Sequence, residues 1–558
     1  MKTLFLLIVL PFTFFGQTKV SDEKKAMDLI HIWGLLKYQH PEISEGKYNF
    51  DNEFISEFNK IQSLTTQEEL NREFENWIAS FETKKTNYKS NKKLLKNKKL
   101  FTKNADFTWI ENSNFSTDLV QLLNKVKTNG SYGKYYAKIN PLASMVSFPN
   151  DKGYDNFDAK ETSNRMLFLA SFWNTMRYWN VNIYLTETPW ERVLVEIIPE
   201  FLSNDIDTYE LAKDKLFSKL NDSHSNYSDS YLFKDISIKN SLYGGRVIND
   251  TLVIKTVFNK ELSDKEGIEL GDLIYKIDNK KISEYYNENF SNRISASNEN
   301  YLKSCLQGYY LLSGKAETLK VEVIKKDKSS KLVGIKLYRN GDYKYEPVNL
   351  GINTVENYNA INDSIGYINL KKITKKELKT AFKTFENKKG IIIDLRNYPK
   401  NLSQSDVPKY LLPKGKQFMK ALVPLAPSFA EYDIKTKLRF IYNPFSTGKK
   451  NKNYYKGKVI LLVDRKTGSM AEYFAMAIQQ APNCTTIGEQ TFGAVMNRNP
   501  VILADKTEID FTGMGAFYPN DVEVQRKGIK LDYEVVENAL NYNPNLYIEE
   551  AIKLIDKE

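Results

Sequence analysis

Ser469 stands where a hydroxyl could attack a carbonyl. It lies between an apolar run, Val459 to Val463, and a segment in which Ala471, Phe474, Ala475 and Ile478 recur at helical spacing. The run is apolar without alternation and β-branched at its start, which predicts a strand buried on both faces. A strand, a polar turn from Asp464 to Gly468, a serine and a helix together place the hydroxyl at a helix N-terminus. Free backbone N–H groups and the helix dipole favour developing negative charge there. An acyl-transfer nucleophile needs that placement, because its tetrahedral oxyanion forms beside the serine. The same residues also fit a plainer role, with Ser469 as an N-cap and Glu472 as its capping-box partner.

A base for such a serine comes from a short supply. The histidines are His31, His40 and His224, and the first two sit inside apolar helical patterns that read as structural. His224 follows Ser223 in NDSHS, a polar turn just past the helical pattern TYELAKDKLFSKL. Loops at element ends are where catalytic groups are usually hung. Cys305 and Cys484 are far apart in sequence, too few for a zinc site or a cysteine protease. They read as two lone buried thiols, with a single disulfide as the alternative.

The elements that must position these groups fall into four stretches. Residues 1–17, MKTLFLLIVLPFTFFGQ, have one lysine, an apolar core and a small residue at the end, the pattern of an export signal. The expected mature protein is exported, periplasmic or secreted, with no lipid-anchoring cysteine and no membrane span. Removing Lys2 would lower its formal charge from +11 to +10. Residues 18–234 read as mostly helical, ending in the NDSHS loop. A weak internal repeat runs through them: Trp33 and Trp173 are each followed five residues on by tyrosine, then a loop and a second helix. Residues 126–165 between the repeats look like loops.

Residues 235–344 change to short strands with a hairpin turn at Asn249-Asp250. From 345 to 558 the pattern is α/β. It includes the strand IIID, a helix, and an insertion at 405–455 expected to cover a face of the core. The 41% hydrophobic and 27% charged composition is that of a folded protein. Lysines are scattered apart from the run at residues 92–103, so the basic balance reads as a solvated face rather than a nucleic-acid site.

The run G-I-x-x-G-D-x-I-x-x-I-D, with Gly267, Gly271 and Asp272 at its corners, resembles a PDZ signature. With IIIDLRN, TGSMAEYFA, IGEQTFG and KGIKLDYEV following in that order, residues 235–540 resemble the tail-specific, or C-terminal processing, serine proteases. The resemblance implies a multi-domain α/β fold with a helical N-terminal region, a PDZ-like β-rich module and a crotonase-like protease core. One branch of that family uses a lysine just after the T-F-G turn, where this chain has Ala494. The other branch, typified by the tricorn core protease, uses a histidine. Carried over to that branch, Ser469 is the nucleophile, His224 the general base and Ser223 the serine that orients it.

Gln525 occupies the position of a glutamate expected to support Ser223, and Leu531 replaces a nearby proline. Glu523 would face the same side if that stretch is a strand. The oxyanion donors would be the backbone N–H groups of Met470 and Lys400. The loop 397–401 holds Pro399 where relatives have a glycine pair. Gly244 and Gly245 would form the carboxylate-binding loop of the PDZ-like module, which takes extended peptide ends by strand addition. Asp394 and Arg396 read as structural, and Thr491 and Gly493 as turn residues packed near the serine. The resemblance implies an exported serine endopeptidase acting on extended or unfolded polypeptides, needing no metal or cofactor. Its rivals are a peptide-binding protein that has lost turnover and another hydrolase or transferase on the same scaffold. The sequence carries no signal on oligomeric state.

Overall fold

The computed structural model describes residues 19–81, 91–225, 227, 230–232, 239–351, 356–433 and 443–557. The export-signal stretch and the boundary near residue 234 lie outside them.

The repeat in the helical region is a structural one. Helix Asp22–Gln39, the 3₁₀ turn Ile43–Glu45 and helix Phe50–Ile61 are matched by Thr162–Trp179, Ile183–Leu185 and Trp190–Leu202. In each unit the tryptophan indole ties the first helix to the start of the second. Trp33 Nε1 donates to Phe50 O at 2.9 Å, and Trp173 Nε1 donates to Trp190 O at 3.0 Å. The two long helices cross with Gly34 under Asn174, whose Nδ2 donates to Ile30 O at 2.9 Å. A Cβ on Gly34 would lie 1.8 Å from Asn174 Oδ1, so the crossing requires glycine. Both long helices are buried nearly all round, as core helices are. Helix Ile206–Ser218 packs on Trp190–Leu202 and, through Tyr209, on Phe168 of the second long helix, and its end delivers residues 220–224.

The stretch expected to be loops contains a small hairpin, Lys138–Ile139 with Val146–Ser147. The β-rich module is a twisted antiparallel sheet in the order Ser330–Lys336, Thr318–Ile324, Leu273–Ile277, Thr251–Val257, with Tyr243–Ile248 beyond. Asn249 takes φ +50 in the turn between its first two strands. The module docks on the α/β core through a buried ionic cluster. Arg246 pairs with Glu489 and Glu537, and Arg465 holds Glu489 at 2.7 Å while donating to Val247 O at 2.7 Å.

The core sheet runs Tyr358–Ala360, Ile365–Asn369, Gly390–Asp394, Lys458–Val463, Cys484–Gly488, Tyr533–Glu534. Only its first pair is antiparallel. Alternate residues serve opposite faces. Ile391, Val459 and Leu461 pack under helices Lys375–Thr384 and Met470–Ile478, while Ile392, Ile460 and Leu462 meet the terminal helix Leu546–Asp556.

The 405–455 insertion does more than cover this core. Its strands Lys420–Ala426 and Phe429–Tyr432 form a sheet with Leu100–Phe101 from the helical region and Gly515–Phe517 from the core. A hairpin of the core, Arg498–Ile502 with Glu508–Thr512, buries Val501, Ile509 and Phe511 in the helical region's own apolar cluster. Apolar burial of that kind is the main driving force for docking. It also carries Thr512 to the NDSHS loop.

Candidate active site

Strand Lys458–Val463 ends in a turn closed by Asp464 and Thr467. Thr467 N donates to Asp464 O at 2.9 Å, and Asp464 N donates to Thr467 Oγ1 at 3.0 Å. Thr467 Oγ1 in turn donates to Leu395 O at 3.1 Å, fixing the turn to the neighbouring strand. Ser469 follows at φ +55, ψ −119, a region that side chains rarely adopt. Such a backbone costs about 1–3 kcal/mol and persists only where the surroundings impose it. Here the surroundings are Phe492 and Glu472. The Phe492 ring packs so close to Gly468 that a Cβ there would lie 2.4 Å from it.

Glu472 is fully buried, yet its carboxylate accepts four hydrogen bonds. They come from Thr491 Oγ1 at 2.6 Å, Gly493 N at 2.8 Å, Ala494 N at 3.1 Å and Ser469 N at 3.3 Å. The capping partner is thus also the anchor of the T-F-G turn, which places Thr491 and Gly493 beside the serine. Burial pushes the Glu472 carboxyl up to about 7, against those bonds, each of which favours the ionised form. Raised above its unfolded value, this group contributes stability that is fully present below about 4.5. That contribution is lost as pH rises through about 7. Thermal unfolding of Glu472→Gln should therefore vary less between pH 5 and 8 than that of the native protein. An identical pH dependence would remove Glu472 from that balance.

His224 is buried and held from three sides. Its backbone N–H donates to Asp222 Oδ1 at 3.1 Å, its Nδ1 lies 3.1 Å from Thr512 Oγ1, and the Phe492 ring packs against it, tilted by 58° at 5.8 Å. Thr512 Oγ1 donates to Asp222 Oδ1 at 2.7 Å, and Thr512 N donates to Asp222 Oδ2 at 2.7 Å. The hydroxyl has one proton and gives it to the aspartate, so toward His224 it accepts. The imidazole consequently carries its proton on Nδ1 and keeps the Nε2 lone pair free.

Burial alone would raise the Asp222 carboxyl, but the Arg526 guanidinium at 3.3 Å, His224 and the Thr512 bonds hold it below the usual range. Burial also pushes the His224 imidazole down. The charges of Arg498 and Arg526 add to that effect, and Asp222 opposes it. No hydrogen bond joins Ser469 to His224 among the described residues. Phe492 touches the elbow on one side and the imidazole on the other. Bonds of this kind are often long in unliganded enzymes and tighten with substrate.

Several expectations need correcting. Ser223 Oγ donates to Phe492 O at 3.0 Å and accepts from Ser297 N at 2.9 Å, so it braces the loop rather than touching the imidazole. Gln525 is buried against Val495 and Met514, accepting from Val495 N at 3.1 Å and donating to Met514 O at 3.0 Å. Glu523 bonds Tyr184 and lies 3.7 Å from Lys527. Neither meets Ser223, because the chain turns at this point instead of continuing as a strand. Gly244 and Gly245 are not a loop. They lie inside strand Tyr243–Ile248 at a β-bulge, where a Cβ on Gly245 would meet Val253 O at 2.4 Å.

Lys400 sits in an exposed loop after strand Gly390–Asp394. Met470, by contrast, begins the elbow helix, so its N–H is one of the orphan donors at the helix start. Asp394 and Arg396 form a bidentate pair at 3.0 and 2.6 Å, bonded also by Tyr367. Both cysteines are free thiols.

Sequence reasoning missed Asp222 and Thr512. Asp222, two residues before His224, carried a local signal, since an aspartate there can cap its own turn. Thr512 carried none. Next to Ser469 and Met470 opens a largely apolar cavity of about 400 Å³ walled by Val423, Phe445, Tyr473, Met496 and Met514. The tip of the Lys138–Ser147 hairpin closes its rim, where Leu142 is 71% exposed.

Residues 364–535 match the sequence model of peptidase family S41. No curated protein matches the chain. Among solved structures, mature CPAF complexed with lactacystin is similar over 71% of this chain and 98% of its own, at 11% identity and TM-score 0.54. The photosystem II D1 C-terminal processing protease is similar over 66% and 92% at 16% identity, TM-score 0.36. The tricorn protease is similar over 71% and 37% at 17% identity, TM-score 0.29.

Proposed function

On the match of residues 364–535 to peptidase family S41, we propose that the chain is a tail-specific serine peptidase, an exported endopeptidase cleaving extended or unfolded polypeptides through an acyl-enzyme on Ser469. His224 Nε2 takes the Ser469 proton as the oxygen attacks the peptide carbonyl. The imidazolium then gives that proton to the leaving amine, and water, activated by the same nitrogen, releases the acyl group. The Met470 N–H faces the developing oxyanion. The observation that carries this reading is the Asp222–Thr512–His224 chain, which leaves Nε2 as a free base in a fixed tautomer.

The apolar cavity fits one large apolar side chain next to the cleaved bond, and the exposed elbow accommodates a substrate in extended form. Export rests on the leader-like first 17 residues. No helix among the described residues is long and apolar enough to cross a membrane. The β-rich module, PDZ-like in its glycine signature, is the candidate for holding the rest of the chain.

The direct test is labelling of the purified protein by a fluorophosphonate probe, with the adduct mapped by mass spectrometry. An adduct on Ser469 that is lost in His224→Ala supports the reading; an unlabelled native protein favours a binding protein without turnover. Activity should also persist below the ordinary imidazole range. A neutral His224 is required, and its pKa is depressed from 6.5, so the acidic limb of kcat/KM is expected below 6.5. A limb at or above 6.5 would assign the base elsewhere.

A further inference from the structure

The loop carrying His224 is braced by a segment that the β-rich module supplies. This segment, residues 294–298, follows the module's helix Ile282–Asn289 and precedes helix Glu299–Cys305. Ser295 and Ser297 are buried at 3% and 7% exposure. Asp222 N donates to Ser295 Oγ at 2.9 Å, and the same hydroxyl donates back to Asp222 O at 3.1 Å. One step on, Ser223 N donates to Ser297 Oγ at 2.9 Å, while Ser297 N donates to Ser223 Oγ at 2.9 Å. Two consecutive residues of the loop are thus bonded reciprocally to two serines spaced by two, through the serine hydroxyls.

Asn298 extends the brace to the other side of the site. Its Nδ2 donates to Thr491 O at 2.9 Å and Arg526 O at 3.3 Å, and its Oδ1 accepts from Tyr301 N at 3.0 Å. The Tyr301 ring in turn meets Phe492 at 4.3 Å.

We propose that Ser295, Ser297 and Asn298, supplied by the β-rich module, are positioning residues for His224. The physical reason lies in the chain of short bonds. The Asp222 carboxylate reaches Thr512 and the His224 N–H from a backbone whose two neighbouring N–H groups are held by Ser295 and Ser297. Releasing that backbone lets the carboxylate, and with it the imidazole, drift. A displacement of about 1 Å is enough to cost on the order of 10²-fold in rate. The proposal rests on the assignment of His224 as base, and the test separates the two.

The variants are Ser295→Ala, Ser297→Ala and their double, with Ser297→Thr as the conservative rescue. Two readouts are taken on the full chain. The first is the rate of fluorophosphonate labelling together with kcat and KM on a peptide. The second is the nitrogen-15 NMR titration of the histidine rings, which needs no activity and resolves three residues, His224 being assigned by its loss in His224→Gln. The groups facing the His224 ring are Asp222, Arg526, Arg498, Thr512 and Phe492. In the double variant kcat and labelling should fall roughly 10²-fold with KM unchanged. The His224 titration should also shift from its native position, its nitrogen-15 signals losing the pattern of a pure Nδ1–H tautomer, and Ser297→Thr should restore part of both.

If the double variant does not fold, each single variant carries the same comparison. A folded variant with native labelling and a native His224 titration would overturn the proposal. A shifted titration in a protein that never labels would uphold the positioning and overturn the peptidase reading instead.

Discussion

Replacing Ser469 by alanine is expected to lower peptide hydrolysis by about 10⁶-fold in kcat, the cost of removing the nucleophile from a unit that works together. The fold should stay intact. The hydroxyl sits at the tip of a turn at φ +55, ψ −119, flanked by the Glu472 anchor and the Phe492 ring. Alanine keeps the Cβ and therefore the strain, so its thermal unfolding should match the native protein within experimental scatter. Glycine has no Cβ to strain and should be equally inactive, yet as stable as the native protein or more so by up to about 2 kcal/mol. That pairing separates chemistry from folding: an N-cap serine replaced by alanine would lose about 1 kcal/mol of stability and no activity. Retained hydrolysis of an unfolded substrate by Ser469→Ala would place the nucleophile elsewhere.

The second large effect is expected at Asp222. Asparagine there can turn its NH₂ toward Thr512 Oγ1, which in the native protein donates to the Asp222 carboxylate at 2.7 Å. The hydroxyl would then donate to His224 Nδ1, the ring proton would move to Nε2, and the base would lose the lone pair it needs. The expected loss in kcat is on the order of 10² to 10⁴, the upper end being the cost of a wrong tautomer in a directly bonded triad. Asp222 also pairs with Arg526 at 3.3 Å, so Asp222→Asn unsettles a buried charge as well. Thr512→Val is the cleaner cut, since it keeps that ion pair and removes only the hydroxyl between carboxylate and ring. Both variants should lose kcat with KM nearly unchanged. Native turnover in Thr512→Val would take the relay out of the mechanism.

Much of the elbow was legible in the chain because its determinants are local. The non-alternating run Val459–Val463 became a strand of a parallel sheet with both faces covered. The helical spacing after Ser469 became helix Met470–Ile478. The Trp–Tyr repeat became two matched helical pairs for the same reason, each indole bonding a carbonyl seventeen residues on within its own unit. Gly244-Gly245 misled because glycine serves a bulge as well as a loop. Only the register of the partner strand, with Val253 O pressed against Gly245, tells the two apart.

His224 could be found by eye because histidines are scarce; what makes it a base could not. Likeness pairs Ser223 with the base and Gln525 with Ser223, and the structure gives each a different partner, Ser297 and Phe492 for one, Val495 and Met514 for the other. By itself the sequence determined the strand, the turn, the serine and the helix, since those follow from contacts between near neighbours. Only the tertiary structure decided that Thr512 lies between Asp222 and His224, 290 and 288 residues away. The physical cause is apolar docking of the Arg498–Thr512 hairpin into the helical region's core, a non-local burial that leaves no periodicity in the chain to read.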